Sequence, residues 1–385
     1  MRPADDVGLS PASSEPPRAR ARRLGITIGA LLVGPLNAIT DVPGVLVGHC
    51  TVQCDEDPST GRGPARTGVT AVLAHGGDLF HERVRAGVFA ANGVGEVVGS
   101  TAIREWGLIE TPILLTNSQS VGVAYDATVR WMMARDPRVG IEDVAMPVVG
   151  ECDDSLLNDA RAMHVLPKHV FAALDSAAAG PVAEGCVGAG TGMVCYDFKS
   201  GIGTSSRVVR IYDECYTLGV LLLTNFGRRS RLAVDGVPVG RQIADLMPLE
   251  HREGSCIAVC ATDAPLSSRQ CERLAKRCSL GLAVTGSYAS DSSGEIMLAF
   301  STAAHLPRNT TAPLAHVRVG DDAIDELFEA AVDATAEAVL NALCVAHTTA
   351  GRAGSRVFAL PLERLSEIMV RFGRPALAVP PGGTI

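Results

Sequence analysis

The run Cys256-Ile257-Ala258-Val259-Cys260-Ala261-Thr262 carries no charge and lies between Arg252-Glu253-Gly254-Ser255 and Asp263-Ala264-Pro265. Small and β-branched residues bounded by charge, glycine and proline read as a buried strand. Strand alternation puts Cys256, Ala258 and Cys260 on one face as small apolar filling of a core. On local grounds alone, a glycine and a serine at the mouth of such a strand are an ordinary loop-to-strand junction.

Composition points to the same kind of core. With 47% apolar residues, 4% aromatic residues and 40 glycines in 385 positions, the chain can bury a large interior only by bringing backbones close together. One large domain or two intimately packed halves both satisfy this. The formal charge of -8 gives no basic domain or stripe of the kind nucleic-acid binding needs. The positive cluster Arg18, Arg20, Arg22 and Arg23 sits in a Pro/Ser/Arg-rich segment, 1–23, that reads as a disordered tail. The apolar stretch 26–36 that follows is broken by Thr27, Gly29 and Gly34 and is too short to cross a bilayer, so no membrane partner is expected. Eleven cysteines, an odd number spread along a long chain, fit a reduced cytoplasmic setting better than a disulfide framework. A twin-arginine export segment is the alternative. Cys50 and Cys54 have no second Cys/His pair at zinc spacing, and neither a metal nor a cofactor is expected.

Valine- and threonine-rich segments predict strands at 45–52, 67–73, 113–116, 144–151, 193–198, 208–212, 216–224 and 295–302, with a further strand or extension at 228–234. Residues 90–98 are a small-residue segment and 101–106 a short polar connection. Periodicity predicts helices at 122–133, 156–164, 168–179, 267–280, 321–345 and 362–369. The helix at 267–280 has Ser267 or Ser268 as cap and Gly281 as stop. Residues 237–253 carry prolines and charges and read as a flexible linker; 374–385 read as a Pro/Gly tail. Strands and helices mixed in this way argue for α/β or α+β layers around one domain, 24–373.

Several short motifs follow one another in a distinctive order. They are Gly34-Pro35-Leu36-Asn37-Ala38-Ile39-Thr40-Asp41, Thr116-Asn117-Ser118, Gly185-Cys186-Val187-Gly188-Ala189-Gly190-Thr191-Gly192-Met193, Phe198-Lys199, Ser205-Ser206-Arg207, Thr224-Asn225-Phe226-Gly227, Gly254-Ser255 and Ser293-Gly294-Glu295. In this order and spacing the chain resembles the DmpA-like aminopeptidases, peptidase family S58, which comprise L-aminopeptidase D-Ala-esterase/amidases and β-peptidyl aminopeptidases. The resemblance implies an αββα sandwich of the type shared with ornithine acetyltransferase. It also implies a precursor that cuts itself between Gly254 and Ser255, giving fragments 1–254 and 255–385 that assemble as a homotetramer of cleaved protomers.

The resemblance assigns chemistry residue by residue. Ser255 becomes the N-terminal nucleophile, whose own α-amine, titrating at roughly 8, is covalently at hand as a base once the peptide bond is cut. Ser293 and Glu295, two apart and on one strand face, align proton transfer. Asn225 donates to the oxyanion, with backbone amides of the Gly188 to Gly192 region as further lining of the cleft. Glu151 receives the free α-ammonium of short peptides, amides or esters. Where the better-known members carry a tyrosine in a Glu-x-Tyr-Asp pattern, this chain has Glu151-Cys152-Asp153-Asp154. An ionised Asp153 cannot donate to an oxyanion and would strengthen a preference for cationic substrate ends. The implied activity is aminopeptidase or amidase. An acyltransferase of the ornithine acetyltransferase kind, whose usual nucleophile is threonine, and a noncatalytic scaffold are the alternatives.

Overall fold

In the computed structural model, which describes residues 17–251, 254–375 and 377, the buried run is the strand Cys256–Thr262, third in a six-stranded sheet. The order is Ile202–Ile211, Glu214–Thr224, Cys256–Thr262, Gly294–Pro307, Glu82–Gly93 and Leu108–Ile109. Only Cys256–Thr262 and Gly294–Pro307 run parallel; the other neighbours are antiparallel. A five-stranded sheet faces it, in the order Leu46–Cys54, Ala65–Leu73, Ile113–Asn117, Val148–Cys152 and Val97–Val98.

Alternation along Cys256–Thr262 explains the layering. Ile257, Val259 and Ala261 share one core with Val69, Ala71, Leu115 and Val149 of the facing sheet. Cys256, Ala258 and Cys260 share the other with Cys271, Leu274 and Ala334 of the covering helices Ser268–Val284 and Asp325–Val345. Helices Val121–Arg135 and Pro167–Asp175 cover the outer face of the five-stranded sheet. The fold is an αββα sandwich. No helix among the described residues is long and apolar enough to cross a membrane, and all eleven cysteines are free thiols.

Several local expectations give way to tertiary contacts. Residues 18–23 are folded: Arg18 donates to the carbonyls of Leu360 (2.9 Å) and Leu343 (3.2 Å), Arg20 pairs with Glu184 (2.8 Å), and Arg22 with Glu337 (2.7 Å). Arg18, Arg20 and Arg22, which suggested a disordered tail, are anchors, while Arg23 is exposed. Residues 1–16 lie outside the described residues, as does most of the expected C-terminal tail. The first part of the supposed linker is packed as well, whereas most of the described residues from 244 to 251 are exposed and 252–253 lie outside the described residues. Val237, Val239 and Ile243 are buried, Val239–Gln242 forms a helical turn, and the Arg229 guanidinium donates to the carbonyls of Ile243 (3.0 Å) and Asp245 (2.7 Å). The same arginine explains why 228–234 is no strand: Arg229–Arg231 is a 3-10 turn that turns the guanidinium inward.

Residues 156–164 form turns and the short 3-10 helix Ala160–Ala162. Here Asn158 and Asp159 accept from the backbone amides of Arg66 and Gly63, both at 3.0 Å, and side chains that bond elsewhere in the backbone compete with a helix. Ser100–Trp106 is helical instead of a connection. Glu82–Gly93, whose charges and glycines hide its alternation, is a full strand of the central sheet. Ser267 does cap its helix, accepting from Gln270 N at 3.3 Å while Gln270 Oε1 accepts from Ser267 N at 3.0 Å. Gly281 does not stop that helix, which continues to Val284. A Cβ at Gly281 would lie 2.6 Å from the Val332 carbonyl oxygen, so this glycine lets the two long helices touch.

Candidate active site

The parallel strands Cys256–Thr262 and Gly294–Pro307 start side by side, Cys256 opposite Glu295. The residues leading into them, Gly254-Ser255 and Ser293, therefore meet at one edge of the sandwich. Ser255, Ser293 and Glu295 are all buried. Ser255 Oγ accepts from Gly294 N at 3.3 Å. Ser293 Oγ is in hydrogen-bond contact with both the Gly254 carbonyl oxygen and Glu295 Oε1. A hydroxyl has one proton, so Ser293 donates to one of these oxygens at a time.

Asn225 arrives from the opposite neighbour. Thr224, the last residue of Glu214–Thr224, pairs with Cys256, and Asn225 N donates to Ser255 O at 3.0 Å. Its side chain is oriented from both ends: Oδ1 accepts from Val194 N at 2.9 Å and Nδ2 donates to Asp153 O at 2.8 Å. A donor-only and an acceptor-only partner settle which end is nitrogen. Gly254 lies directly against this amide. A Cβ there would fall 2.0 Å from Asn225 O and 2.5 Å from Asn225 Nδ2, so only glycine fits before the serine without displacing the segment.

Glu151 comes from the facing sheet. The parallel pairing of Ile113–Asn117 with Val148–Cys152 sets Thr116 beside Glu151, which brings Ser118 within reach. Glu151 Oε1 accepts from Glu96 N at 2.9 Å, and Oε2 accepts from the Ser118 hydroxyl. Two hydrogen bonds thus fix the carboxylate's direction. Glu151 Oε1 and Ser255 Oγ each lie 3.5 Å from the point where a Gly95 Cβ would stand, so the absence of a side chain at Gly95 leaves the two sheets' contributions facing each other across open space.

Asp153 is placed differently. Its side chain is exposed and its Oδ1 accepts from Ser155 N at 2.8 Å, while its backbone carbonyl is what meets Asn225. Next to it Asp154 is buried, accepts from Asn158 Nδ2 at 3.0 Å, and burial pushes its carboxyl up to about 7. The Gly188–Gly192 turn also serves another end. The amides of Gly188, Ala189 and Gly190 donate to Thr51 Oγ1, Thr70 Oγ1 and Val187 O, and the segment reaches the site through Val194 N, which orients Asn225.

Sequence reasoning passed over three participants: the Ser118 hydroxyl, the Gly294 amide and the gap at Gly95. Ser118 ends the Thr116-Asn117-Ser118 motif, but only the strand register ties it to Glu151. A cavity of 510 Å³ lined by residues including Leu46, Trp131 and Arg138 lies apart from this cluster; none of Ser255, Asn225, Glu151, Ser293 or Glu295 lines it.

An αββα sandwich whose two sheets bring a buried Gly-Ser peptide against a hydroxyl, a carboxyl and an amide defines the class of N-terminal nucleophile hydrolases. The model of peptidase family S58 matches residues 37–357. The β-peptidyl aminopeptidase BapA of Sphingosinicella microcystinivorans is 41% identical, over 95% of each chain. Among solved structures, the PH0078 protein of Pyrococcus horikoshii OT3 superposes with a TM-score of 0.88 at 43% identity, covering 93% of this chain and 100% of that one. The L-aminopeptidase D-Ala-esterase/amidase of Ochrobactrum anthropi, described as a prototype for the serine aminopeptidases with a variant of the Ntn hydrolase fold, gives 0.87 at 41% identity over 92% and 99%. The chain belongs to peptidase family S58 and is a self-cleaving serine aminopeptidase. The noncatalytic reading is set aside.

Proposed function

We propose that Ser255 is both the self-cleavage residue and the nucleophile of an aminopeptidase acting on short peptides, amides and esters with a free N-terminus. The observation that carries this reading is the meeting of Ser255 Oγ, the Gly254 carbonyl, Ser293 with Glu295, and Asn225 at one sheet edge. Ser255 Oγ attacks the Gly254 carbonyl carbon, the C–N bond breaks as the nitrogen takes up a proton, and an ester to Ser255 results. Water then cleaves that ester, leaving a Gly254 carboxylate and a free Ser255 amine. In the first step Ser293, in contact with the Gly254 carbonyl, donates to the oxygen that becomes negative. Asn225 Nδ2, packed against Gly254, is the second donor.

After cleavage the new amine starts one bond from where the Gly254 carbonyl carbon stood, so Ser293 and Glu295 are on its side. The amine acts as base for Ser255 Oγ in attacking the carbonyl of a substrate's first residue, forming an aminoacyl ester and releasing the rest as amine or alcohol. Water releases the amino acid. Glu151 pairs with the substrate's α-ammonium, a charge-assisted contact that an N-acyl group abolishes. Asp153 contributes negative potential at the mouth rather than a contact, since its carboxylate is engaged by Ser155 N. Eleven free thiols and the bonding of Arg22 to buried Glu337 speak for a reducing, cytoplasmic setting and against export through the arginine pair. An assembly of several cleaved protomers belongs to the same reading, with exposed Ile141 and Val144 as apolar contact surface.

Matched free and N-acetylated aminoacyl p-nitroanilides test the substrate assignment. The free alanine and glycine substrates are expected to turn over at least about 10²-fold faster than their acetylated forms, and Glu151→Gln should remove most of that preference by raising KM. Equal turnover of blocked and free substrates by the parent enzyme would overturn the role of Glu151. Acetyl transfer from N-acetylornithine to glutamate would instead place the protein with the acyltransferases.

A further inference from the structure

At the far end of strand Gly294–Pro307 from Ser293, a second group of chemistry-bearing side chains meets. His75, Glu82 and His305 each offer one ligand atom, and these atoms all lie within 4.8 Å of one another. We propose that they form a binding site for a borderline divalent transition-metal ion, of the Zn²⁺, Co²⁺ or Ni²⁺ kind, separate from the aminopeptidase site. Two imidazoles and one carboxylate make a donor set suited to such ions and poorly suited to Mg²⁺ or Ca²⁺.

Three features of the cluster support the site. His75 is 5% exposed, and its Nε2 lies 2.7 Å from the Glu82 carbonyl oxygen. An acceptor-only partner requires Nε2 to carry the proton, so Nδ1 keeps its lone pair toward the cluster. A backbone carbonyl on the remote ring nitrogen is the arrangement that fixes the tautomer of metal-binding histidines. Secondly, His75 Nδ1 and Glu82 Oε2 are each 3.1 Å from the point where a Gly77 Cβ would stand, so the missing side chain leaves room between two prospective ligands. Thirdly, His305 Nδ1 is 3.4 Å from Glu82 Oε2, brought there by the register shift after Ser301 that sets His305 opposite Val84.

Two adjustments accompany binding. Gly77 N donates to His75 Nδ1 at 3.1 Å and must release it, which the Gly76-Gly77 backbone is free to do. The two imidazoles are stacked, with centroids 4.0 Å apart and planes at 24°, so their lone pairs run side by side. His305, 40% exposed in its side chain, turns about its side-chain torsions to converge on the ion. The neighbouring trio Asp78, His81 and Asp136 is a poorer candidate because Arg138 already pairs with both aspartates, at 2.8 Å each. Strand spacing puts His305 roughly 35 Å from Glu295 along the strand. The ion therefore takes no part in the Ser255 reaction, and the spacing of cysteines along the chain gives no hint of it.

Titration of the processed protein with Zn²⁺ by calorimetry, and with Co²⁺ by absorption spectroscopy, tests the proposal. One equivalent should bind, with cobalt d–d bands and no thiolate-to-cobalt charge-transfer band, which separates this site from the eleven cysteines. His305→Ala should weaken Zn²⁺ binding tenfold or more. Gly77→Ala, which keeps all three ligands and fills the gap between two of them, should weaken it by a similar factor. Both variants should process normally and retain parental aminopeptidase turnover, which also reports that they fold. Absence of binding to the parent, a thiolate band, or an affinity unchanged by His305→Ala and Gly77→Ala would overturn the proposal.

Discussion

Ser255→Ala is expected to give a single uncut polypeptide with no measurable aminopeptidase activity and nearly parental thermal stability. The substitution removes one oxygen whose hydrogen bond, from Gly294 N, is long at 3.3 Å, and it leaves every apolar contact of the strand behind it in place. Leaving the buried Gly294 amide without that acceptor costs about 1–3 kcal/mol, which moves the melting temperature of a chain this long by only a few degrees. The functional loss is of another order, because the same atom is required twice: once to attack the Gly254 carbonyl and once to attack the substrate. Without the first step the α-amine stays locked in an amide, so no base replaces it. Electrophoresis and turnover on one sample measure both effects, and a Ser255→Ala protein that cuts itself or hydrolyses substrate would contradict the assignment.

Asn225→Ala is expected to lower kcat by about 10²-fold or more, the usual cost of losing one oxyanion donor, with a much smaller change in KM. Processing should slow with it, because the Asn225 amide lies against the Gly254 peptide in the uncut chain. The side chain also holds Asp153 O and Val194 N, so a structural effect has to be separated from a catalytic one. Turnover expressed per cleaved chain makes that separation, and Asn225→Asp sharpens it: the carboxylate keeps the shape but repels a developing oxyanion. If the alanine variant, once cleaved, turns over within about threefold of the parent, Asn225 is not an oxyanion donor.

Much of this architecture was legible in the chain. The uncharged run Cys256–Thr262 reads as a buried strand, the helix at 267–280 announces itself by its cap and apolar periodicity, and the helix at 321–345 by periodicity alone. What escaped was set by contacts remote in sequence. Arg18, Arg20 and Arg22 look like a solvated basic tail until Leu360, Glu184 and Glu337 are placed beside them. Gly281 looks like a helix stop until a second helix crosses it. The candidate site residues are picked out by the order of short motifs, because nothing local separates Gly254-Ser255 from any other strand entrance. Ser118 and the Gly294 amide depend on strand register, which motif order does not encode. His75, Glu82 and His305 come together only through the pairing of two strands more than two hundred residues apart in the chain.

The central claim is that the working enzyme is created by a cut that makes Ser255 an N-terminus. Intact-mass analysis and N-terminal sequencing of active protein test it most directly. Two chains are predicted, one ending at Gly254 and one of 131 residues beginning Ser-Cys-Ile-Ala-Val, with activity rising in step with their appearance. Full activity from a wholly uncut chain, or a small fragment starting at any other residue, would contradict the account.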